Sequence, residues 1–194
     1  ARSRVCGIFE PMPSASDRPQ VQLGHRSFDV LQLPPFALQW RIQSPEGTLQ
    51  VKCLSRKKHV ALEPEEWVRQ HWIHYLSSEL GYPLGWISVE QPLQLNGQSR
   101  FADIVCYDQT GAPLLLVEVK RPSIALSAGV LDQVLRYHLI LQTPLVVISN
   151  GIMIKLTSFT TESLEPLTAF RPLQLLLLDS KVSDLLCIEI RRDS

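Results

Sequence analysis

The sequence predicts an α/β fold, in which a mixed central sheet is flanked by helices. Apolar residues recur at helical spacing after Pro64, and three strand-like segments follow within residues 86–120. A second helical pattern then precedes two strands joined by Asn150-Gly151, a strong hairpin signal. The order helix, three strands, helix, two strands is typical of α/β or α+β domains. A content of 45% hydrophobic and 20% charged residues is ordinary for a packed soluble domain.

The chain divides into three parts in this interpretation. Residues 1–20 are rich in Pro, Ser and Arg and are predicted to form a flexible arm. Residues 21–60 contain the strand-like pieces FDVLQL, FALQWRIQ and TLQVKCL, with a hairpin turn at SPEGT, and are predicted to form a β-rich extension. Residues 61–194 are predicted to form the main domain. Its apolar C-terminal tail is expected to pack against the rest of the domain, and the sequence pattern of the tail is compatible with either a helix or a strand.

Each element of the main domain has a local signal. The first helix begins at Pro64, because proline suits the first helical position, and ends before Gly81. Two turn segments, LNGQS and DQTGAP, separate the strands that follow. Strands are predicted at about residues 86–95, 100–107 and 113–120, and the second helix at about residues 126–142.

Charge and cysteine usage limit the classes of function. Lys+Arg and Asp+Glu both number 19, so no net charge attracts the chain to nucleic acid or to a membrane. A polyanionic partner would need a local patch or a second chain. The four cysteines are scattered, no segment is apolar enough to span a membrane, and no signal-peptide core opens the sequence. These features favour a cytoplasmic protein without membrane contact.

The strongest chemical signal is an acid and a base inside an apolar strand. Glu118 and Lys120 share one face of the segment LLLVEVK. A buried charge is costly unless it is paired or bound to a metal. The alternative without a catalytic role is an ordinary ion pair on a strand, which contributes little to the stability of the fold.

The preceding segment supplies a second acid in register. If the hairpin turn lies between Thr110 and Gly111, antiparallel pairing places Asp103 directly opposite Glu118. The same register pairs Val105 with Leu116 and Tyr107 with Leu114. Directly opposed like charges are unfavourable in a sheet, so the two carboxylates require neutralisation. They should also destabilise the metal-free protein, and Asp103→Asn is therefore expected to melt at the same or a higher temperature.

A divalent cation would neutralise this pair. Mg²⁺ prefers oxygen ligands, so Asp103, Glu118 and the carbonyl of Val119 are candidate metal ligands. Lys120 would hold or help deprotonate the attacking water and would offset charge in the transition state. This set of groups is suited to phosphodiester hydrolysis.

These residues resemble the PD-(D/E)xK nuclease superfamily. More narrowly, the segments PEEWVRQHWIHYLSSELGYP, RFADIVCYD, PLLLVEVKRPS and DQVLRYHLILQTPLVVISNG are similar to the N-terminal nuclease domain of type I restriction enzyme R subunits, over about residues 55–157. The resemblance implies a restriction-endonuclease-like core and Mg²⁺-dependent DNA endonuclease activity, with Mn²⁺ as a substitute. It implies metal-binding roles for Asp103 and Glu118, a catalytic role for Lys120, and a Q-x-x-x-Y pair formed by Gln133 and Tyr137 that supports the DNA side of the site.

Further residues receive candidate roles beside this core. Glu66 is the candidate for a helix-borne acid that approaches the metal through water, and its alternative role is to stabilise the helix dipole in the first turn. Glu79 and Gln70 are weaker candidates for that acid. Four arginines flank the proposed site and are candidates for phosphate contacts that do not read sequence: Arg69, Arg100, Arg121 and Arg136.

The resemblance also bears on partners. R subunits couple cleavage to an ATP-driven motor, but this sequence contains no G-x-x-x-x-G-K-[ST] phosphate loop. The motor is therefore another chain, a missing part of the protein, or never used. DNA is the expected substrate, and methylase and specificity subunits are candidate partners. The domain could be active only when these partners are bound. The alternative is a catalytically silent nuclease-fold module that binds DNA or restriction-complex partners, and the oligomeric state is left open.

Overall fold

The computed structural model describes residues 17–159 and 186–191. Within this part of the chain a mixed six-stranded sheet is accompanied by two small antiparallel sheets and two α-helices, which confirms the predicted α/β class. The strands are β1 (Gln20–Leu23), β2 (Arg26–Asp29), β3 (Trp40–Gln43), β4 (Thr48–Cys53), β5 (Lys58–Ala61), β6 (Ile87–Leu95), β7 (Gln98–Tyr107), β8 (Pro113–Val119), β9 (Leu145–Ser149), β10 (Ile154–Phe159) and β11 (Leu186–Arg191). The helices are α1 (Pro64–His74), which continues into a π-helical turn (Tyr75–Glu79), and α2 (Ala128–Leu141).

The large sheet has the strand order β11-β10-β9-β8-β7-β6. Strands β6, β7 and β8 are antiparallel neighbours, whereas β9 lies parallel to β8 and follows it through α2. The expected hairpin between β9 and β10 is present, with Gly151 in the left-handed region at φ 80°. A side chain at that position would also collide with Leu31, since a Cβ would lie 2.6 Å from its Cδ2.

Two apolar clusters lie on the two sides of the large sheet. One joins α1 to the sheet and includes residues of the N-terminal extension such as Phe28 and Leu49. The other joins α2 to the sheet and includes Leu116, Val134 and Tyr137. Residues 20–61 thus form small sheets that share a core with α1, and the division of the chain at residue 61 stays a prediction.

The N-terminal extension differs from the prediction in its details. The hairpin at SPEGT is present between β3 and β4, but strands β1 and β5 were not predicted. The predicted strand FDVLQL ends at Asp29, because the N–H groups of Val30 and Gln32 donate to Pro19 and Gly151 in loops and not to a strand partner. Leu31 and Leu33 are nevertheless buried. Most of the predicted arm (residues 1–16) and of the apolar tail (residues 160–185) lies outside the described residues.

Helix α1 forms as the sequence predicts. Pro64 occupies the first helical turn, with Glu65 and Glu66 directly behind it, and Gly81 follows the π-helical turn with φ 73°. Trp72, Ile73 and Leu76 are fully buried and fix the helix against the sheet. Neither described helix has the length and apolar character that crossing a membrane would need.

Candidate active site

The predicted acid pair lies where β7 and β8 begin to separate. The antiparallel ladder pairs Ile104 with Val117, and one residue further along the strands stand Asp103 and Glu118. There the Val119 N–H donates to Oδ2 of Asp103 at 2.8 Å. The carboxylate of Asp103 thereby takes the place of a backbone acceptor and is fixed against the neighbouring strand.

The register of this hairpin agrees with the prediction close to the site and departs from it near the turn. Val105 pairs with Leu116, as expected. Tyr107 pairs with Pro113 and not with Leu114, because the ladder shifts by one residue between Cys106 and Tyr107. The irregularity lies at the turn end, so it does not disturb the pairing beside the two acids.

The backbone is also irregular on the other side of Asp103. Strand β6 pairs Val89 with Ile104 and Gln91 with Ala102, but the intervening Glu90 leaves the ladder and has φ 55°. A residue with a bulky side chain rarely adopts this left-handed conformation, and such positions cluster at functional sites. The two residues flanking Asp103 consequently pack on different sides of the sheet, Ala102 in the α2 cluster and Ile104 in the α1 cluster.

Glu118 is a buried carboxylate with unequal oxygens. Its side chain is 3% exposed, and Oε1 accepts hydrogen bonds from Nζ of Lys120 at 2.6 Å and Nε2 of Gln133 at 3.1 Å. The same Gln133 amide lies 3.2 Å from the hydroxyl of Tyr137. Oε2 is buried and has no hydrogen-bond partner among the described residues. The structure therefore brings together Asp103, Glu118, Lys120, Gln133 and Tyr137.

The electrostatics of the pair follow from burial. Burial raises the pKa of Glu118, the negative charge of Asp103 raises it further, and Lys120 only partly opposes the rise, so that the pKa is about 8. Burial lowers the pKa of Lys120, but the charge and hydrogen bond of Glu118 outweigh this effect and the net pKa is raised. Lys120 is therefore a charged ammonium at neutral pH.

A buried ion-pair network supports Asp103 from the side of α1. Arg69 donates to Oδ1 of Asp103 at 2.7 Å and also pairs with Glu66, which in turn pairs with Arg56. Gln70 donates to the same Glu66 at 2.7 Å. Burial lowers the pKa of Arg69, yet the charges of Asp103 and Glu66 together raise it above its ordinary value. Arg69 is thus committed to carboxylates and is not the free phosphate contact that the sequence suggested.

Glu66, the predicted helix-borne acid, is a member of this network. Glu66 is satisfied by Arg56, Arg69 and Gln70, and none of its hydrogen bonds or ion pairs reaches Asp103 or Glu118. Its neighbour Glu65 is half-buried, and burial followed by the charge of Asp103 raises its pKa. Glu65 therefore lies within electrostatic range of Asp103, and it also pairs with Arg69 at 3.5 Å. Glu79 is exposed on the π-helical turn, and Gln70 is buried against Glu66.

The chain is similar to a known protein family. A profile for the family described as Type I restriction enzyme R protein N terminus (HSDR_N) matches residues 64–170, more than half of the 194-residue chain. The chain belongs to this family. The resemblance stated from the sequence is thereby confirmed for the R protein N-terminal family, whose matched region begins with α1 and includes all the clustered residues of the site. A search of curated proteins found no match.

The geometry shifts the expected stability cost from Asp103 to Glu118. Asp103 is held by Arg69 and by the Val119 N–H, whereas Glu118 has a buried oxygen without a partner. A carboxyl group whose pKa is raised by folding contributes stability below its unfolded pKa and loses it as pH rises through the folded pKa. We expect metal-free wild type to lose unfolding free energy relative to Glu118→Gln as pH rises toward about 8.

Urea unfolding in EDTA, between about pH 5 and about pH 8, measures this difference, whose slope is at most about 1.4 kcal/mol per pH unit. Glu79→Gln is the matched control, since Glu79 is exposed and removal of its charge should leave a curve parallel to wild type. If Glu118→Gln also runs parallel to wild type, folding does not raise the pKa of Glu118 into this pH range.

Proposed function

We propose that this chain is a metal-dependent DNA endonuclease domain of the type I restriction R-subunit type, with a PD-(D/E)xK core, which hydrolyses phosphodiester bonds. The observation that carries the proposal is the Asp103 and Glu118 pair at the point where β7 and β8 separate. One buried oxygen of Glu118 has no partner among the described residues, and Lys120 holds the other oxygen. An acid pair that has one oxygen without a hydrogen-bond partner, together with an adjacent ammonium, is suited to phosphoryl chemistry with a divalent cation.

The donor set fits Mg²⁺, and Mn²⁺ by the same chemistry. The ion would be held by Asp103, by Oε2 of Glu118 and by the carbonyl of Val119. The Val119 N–H points to Asp103, and the N–H and C=O of one strand residue lie on the same side. The described residues contain no cluster of three His, Cys, Asp or Glu side chains suited to a metal. Mg²⁺ tolerates this because it commonly uses one or two carboxylates together with water and phosphate oxygens.

Each protein group has a definable task in hydrolysis. When bound, the cation would polarise a phosphate oxygen and lower the pKa of a water molecule. Lys120, as an ammonium, would stabilise negative charge that develops on the phosphoryl oxygens, and its raised pKa favours this task over that of a general base. Gln133 would hold the carboxylate of Glu118 in orientation, with Tyr137 placing the amide of Gln133. Glu65, in place of Glu66, would approach the ion through water.

The proposal extends to organisation and partners. Residues 61–194 would form the nuclease-like domain, and residues 21–60 would be an extension that completes its core next to α1. DNA is the proposed substrate. A motor, a methylase and a specificity subunit are the proposed partners, because the family is that of the type I restriction R protein.

The test is a cleavage assay with the whole chain. Supercoiled, linear and branched DNA are incubated with Mg²⁺, with Mn²⁺ or with EDTA, and nicked and linear products are separated on a gel. We expect products with either metal and none with EDTA. Cleavage that persists in EDTA would contradict metal dependence. Absence of cleavage with both metals on all three substrates would favour the catalytically silent module that binds DNA or partner chains.

A further inference from the structure

A two-stranded ribbon projects from the sheet next to the site. Strand β8 pairs with β7 only up to Ile104, but β6 and β7 continue as a pair to their turn. The turn residues Asn96 and Gly97 both have positive φ values, 50° and 74°, as tight hairpin turns require. Residues 91–102 of this ribbon contain a single charged side chain, Arg100, and no acid.

A cleft of about 430 Å³ lies between this ribbon and helix α2. The ribbon side includes Gln98 and Arg100, and the helix side includes Gln133, Arg136 and Tyr137. Because Gln133 lines the cleft and also donates to Glu118, the cleft lies next to the acid pair. Its lining contains no acidic side chain.

The two arginines of the cleft have no carboxylate partner, a property that they share in the described chain with the exposed Arg41 and Arg121, which do not line the cleft. Arg18, Arg26, Arg56 and Arg69 all pair with carboxylates. Arg100 and Arg136 are exposed, and within the described residues neither forms an ion pair; Arg100 donates to the amide oxygen of Gln98. Asp132 lies one helical turn before Arg136, but it does not line the cleft and no ion pair joins the two.

We infer that this cleft binds the sugar-phosphate backbone of the DNA strand beside the site, with Arg100 and Arg136 contacting phosphates from opposite walls. The inference rests on the proposed function for the choice of DNA as the ligand. The planar guanidinium matches phosphate geometry, and such contacts position DNA without reading its sequence. With 19 basic and 19 acidic residues the chain as a whole attracts no polyanion, so DNA would need a local cationic site, and Arg100 and Arg136 provide one because they line the same cleft.

Binding at varied salt concentration tests the inference without cleavage. Fluorescence anisotropy of a labelled duplex is recorded in EDTA for wild type, Arg100→Ala/Arg136→Ala and Arg41→Ala. Each lost phosphate contact should reduce the slope of log K against log[salt] by about 0.9, and weaken binding near 0.1 M salt by about eightfold. Arg41→Ala is the matched control, because Arg41 is exposed on β3, in a different sheet, and should behave as wild type. Arg100→Lys/Arg136→Lys retains both charges and should retain most of the slope.

The outcomes separate this inference from the proposed function. If wild type cleaves DNA but the double alanine variant keeps the wild-type slope, the cleft is not the phosphate site and the nuclease proposal stands. If the slope falls as expected but wild type never cleaves, the cleft binds DNA in a silent module. The inference would be overturned if Arg41→Ala lost as much salt slope and affinity as the double alanine variant, or if wild type did not bind the duplex in EDTA.

Discussion

Replacement of Lys120 by alanine is expected to abolish metal-dependent DNA cleavage, with a loss of at least roughly 10²–10³-fold in rate. Removal of one preorganised donor that stabilises transition-state charge typically costs this much. Nζ of Lys120 lies 2.6 Å from Oε1 of Glu118, whose other oxygen is proposed to hold the metal. Product formation is measured with Mg²⁺ and with Mn²⁺ under single-turnover conditions.

Two controls make this result interpretable. Lys58→Ala removes an exposed lysine on β5, outside the large sheet, and should leave the rate unchanged. Circular dichroism should show that Lys120→Ala is folded, since its side chain is partly exposed and Oε1 of Glu118 keeps the hydrogen bond from Gln133. A variant that is folded and cleaves within about threefold of wild type would remove Lys120 from the catalytic machinery.

The acid pair was predictable because its determinants are local in sequence. A hairpin turn of known position fixes which residues oppose one another, and the period of two fixes which face they share. That reasoning placed Val105 opposite Leu116 correctly, and Asp103 and Glu118 follow directly beyond the last pair of this ladder, Ile104 and Val117. It failed at Tyr107, because the pairing shifts by one residue near the turn and the sequence contains no signal for this shift.

The ion-pair network was not predictable in the same way. Glu65 and Glu66 are adjacent in α1, and each is plausible as the acid that faces the site. Which one does so depends on how the helix rotates against the sheet, and the deeply buried Trp72 and Ile73 set that rotation. Sequence alone also gave no reason to place Arg56, from the loop between β4 and β5, against Glu66. Pairings between distant segments follow from packing and not from local pattern.

The left-handed conformation of Glu90 is a further feature that sequence does not announce. Asn and Gly signal such positions in turns, as at Asn96 and Gly97, but a glutamate within a strand does not. Its carboxylate pairs with Arg56 at 2.9 Å, so the same network that holds Glu66 also holds the backbone irregularity next to Asp103. The network therefore links the geometry of the strand to the geometry of the site.

Arg69→Met should be the most destabilising single substitution in this network. The side chain of Arg69 is 8% exposed, and its removal leaves the buried carboxylates of Asp103 and Glu66 without a shared cation. Truncation of one partner in a buried ion pair typically costs about 3–5 kcal/mol of unfolding free energy. We expect a loss of about this size in urea unfolding at neutral pH in EDTA. The loss of unfolding free energy should be smaller at acidic pH, where the carboxylates of Asp103 and Glu66 that have lost Arg69 can be protonated.

The control is Arg26→Met, which breaks the ion pair with Glu63, a residue whose side chain is 63% exposed, and one hydrogen bond to the carbonyl of Leu62. Solvent-exposed pairs contribute only about 0–1 kcal/mol and a single hydrogen bond about 1 kcal/mol, so this variant should lose clearly less stability than Arg69→Met. A double-mutant cycle with Asp103→Asn then isolates the Arg69 and Asp103 interaction, because the double variant should be more stable than the sum of the two single losses predicts. If Arg69→Met costs no more than Arg26→Met, or if its effect does not depend on pH, then Asp103 is not held by a buried charge pair. The position of Asp103 would in that case depend on its hydrogen bond from the Val119 N–H alone.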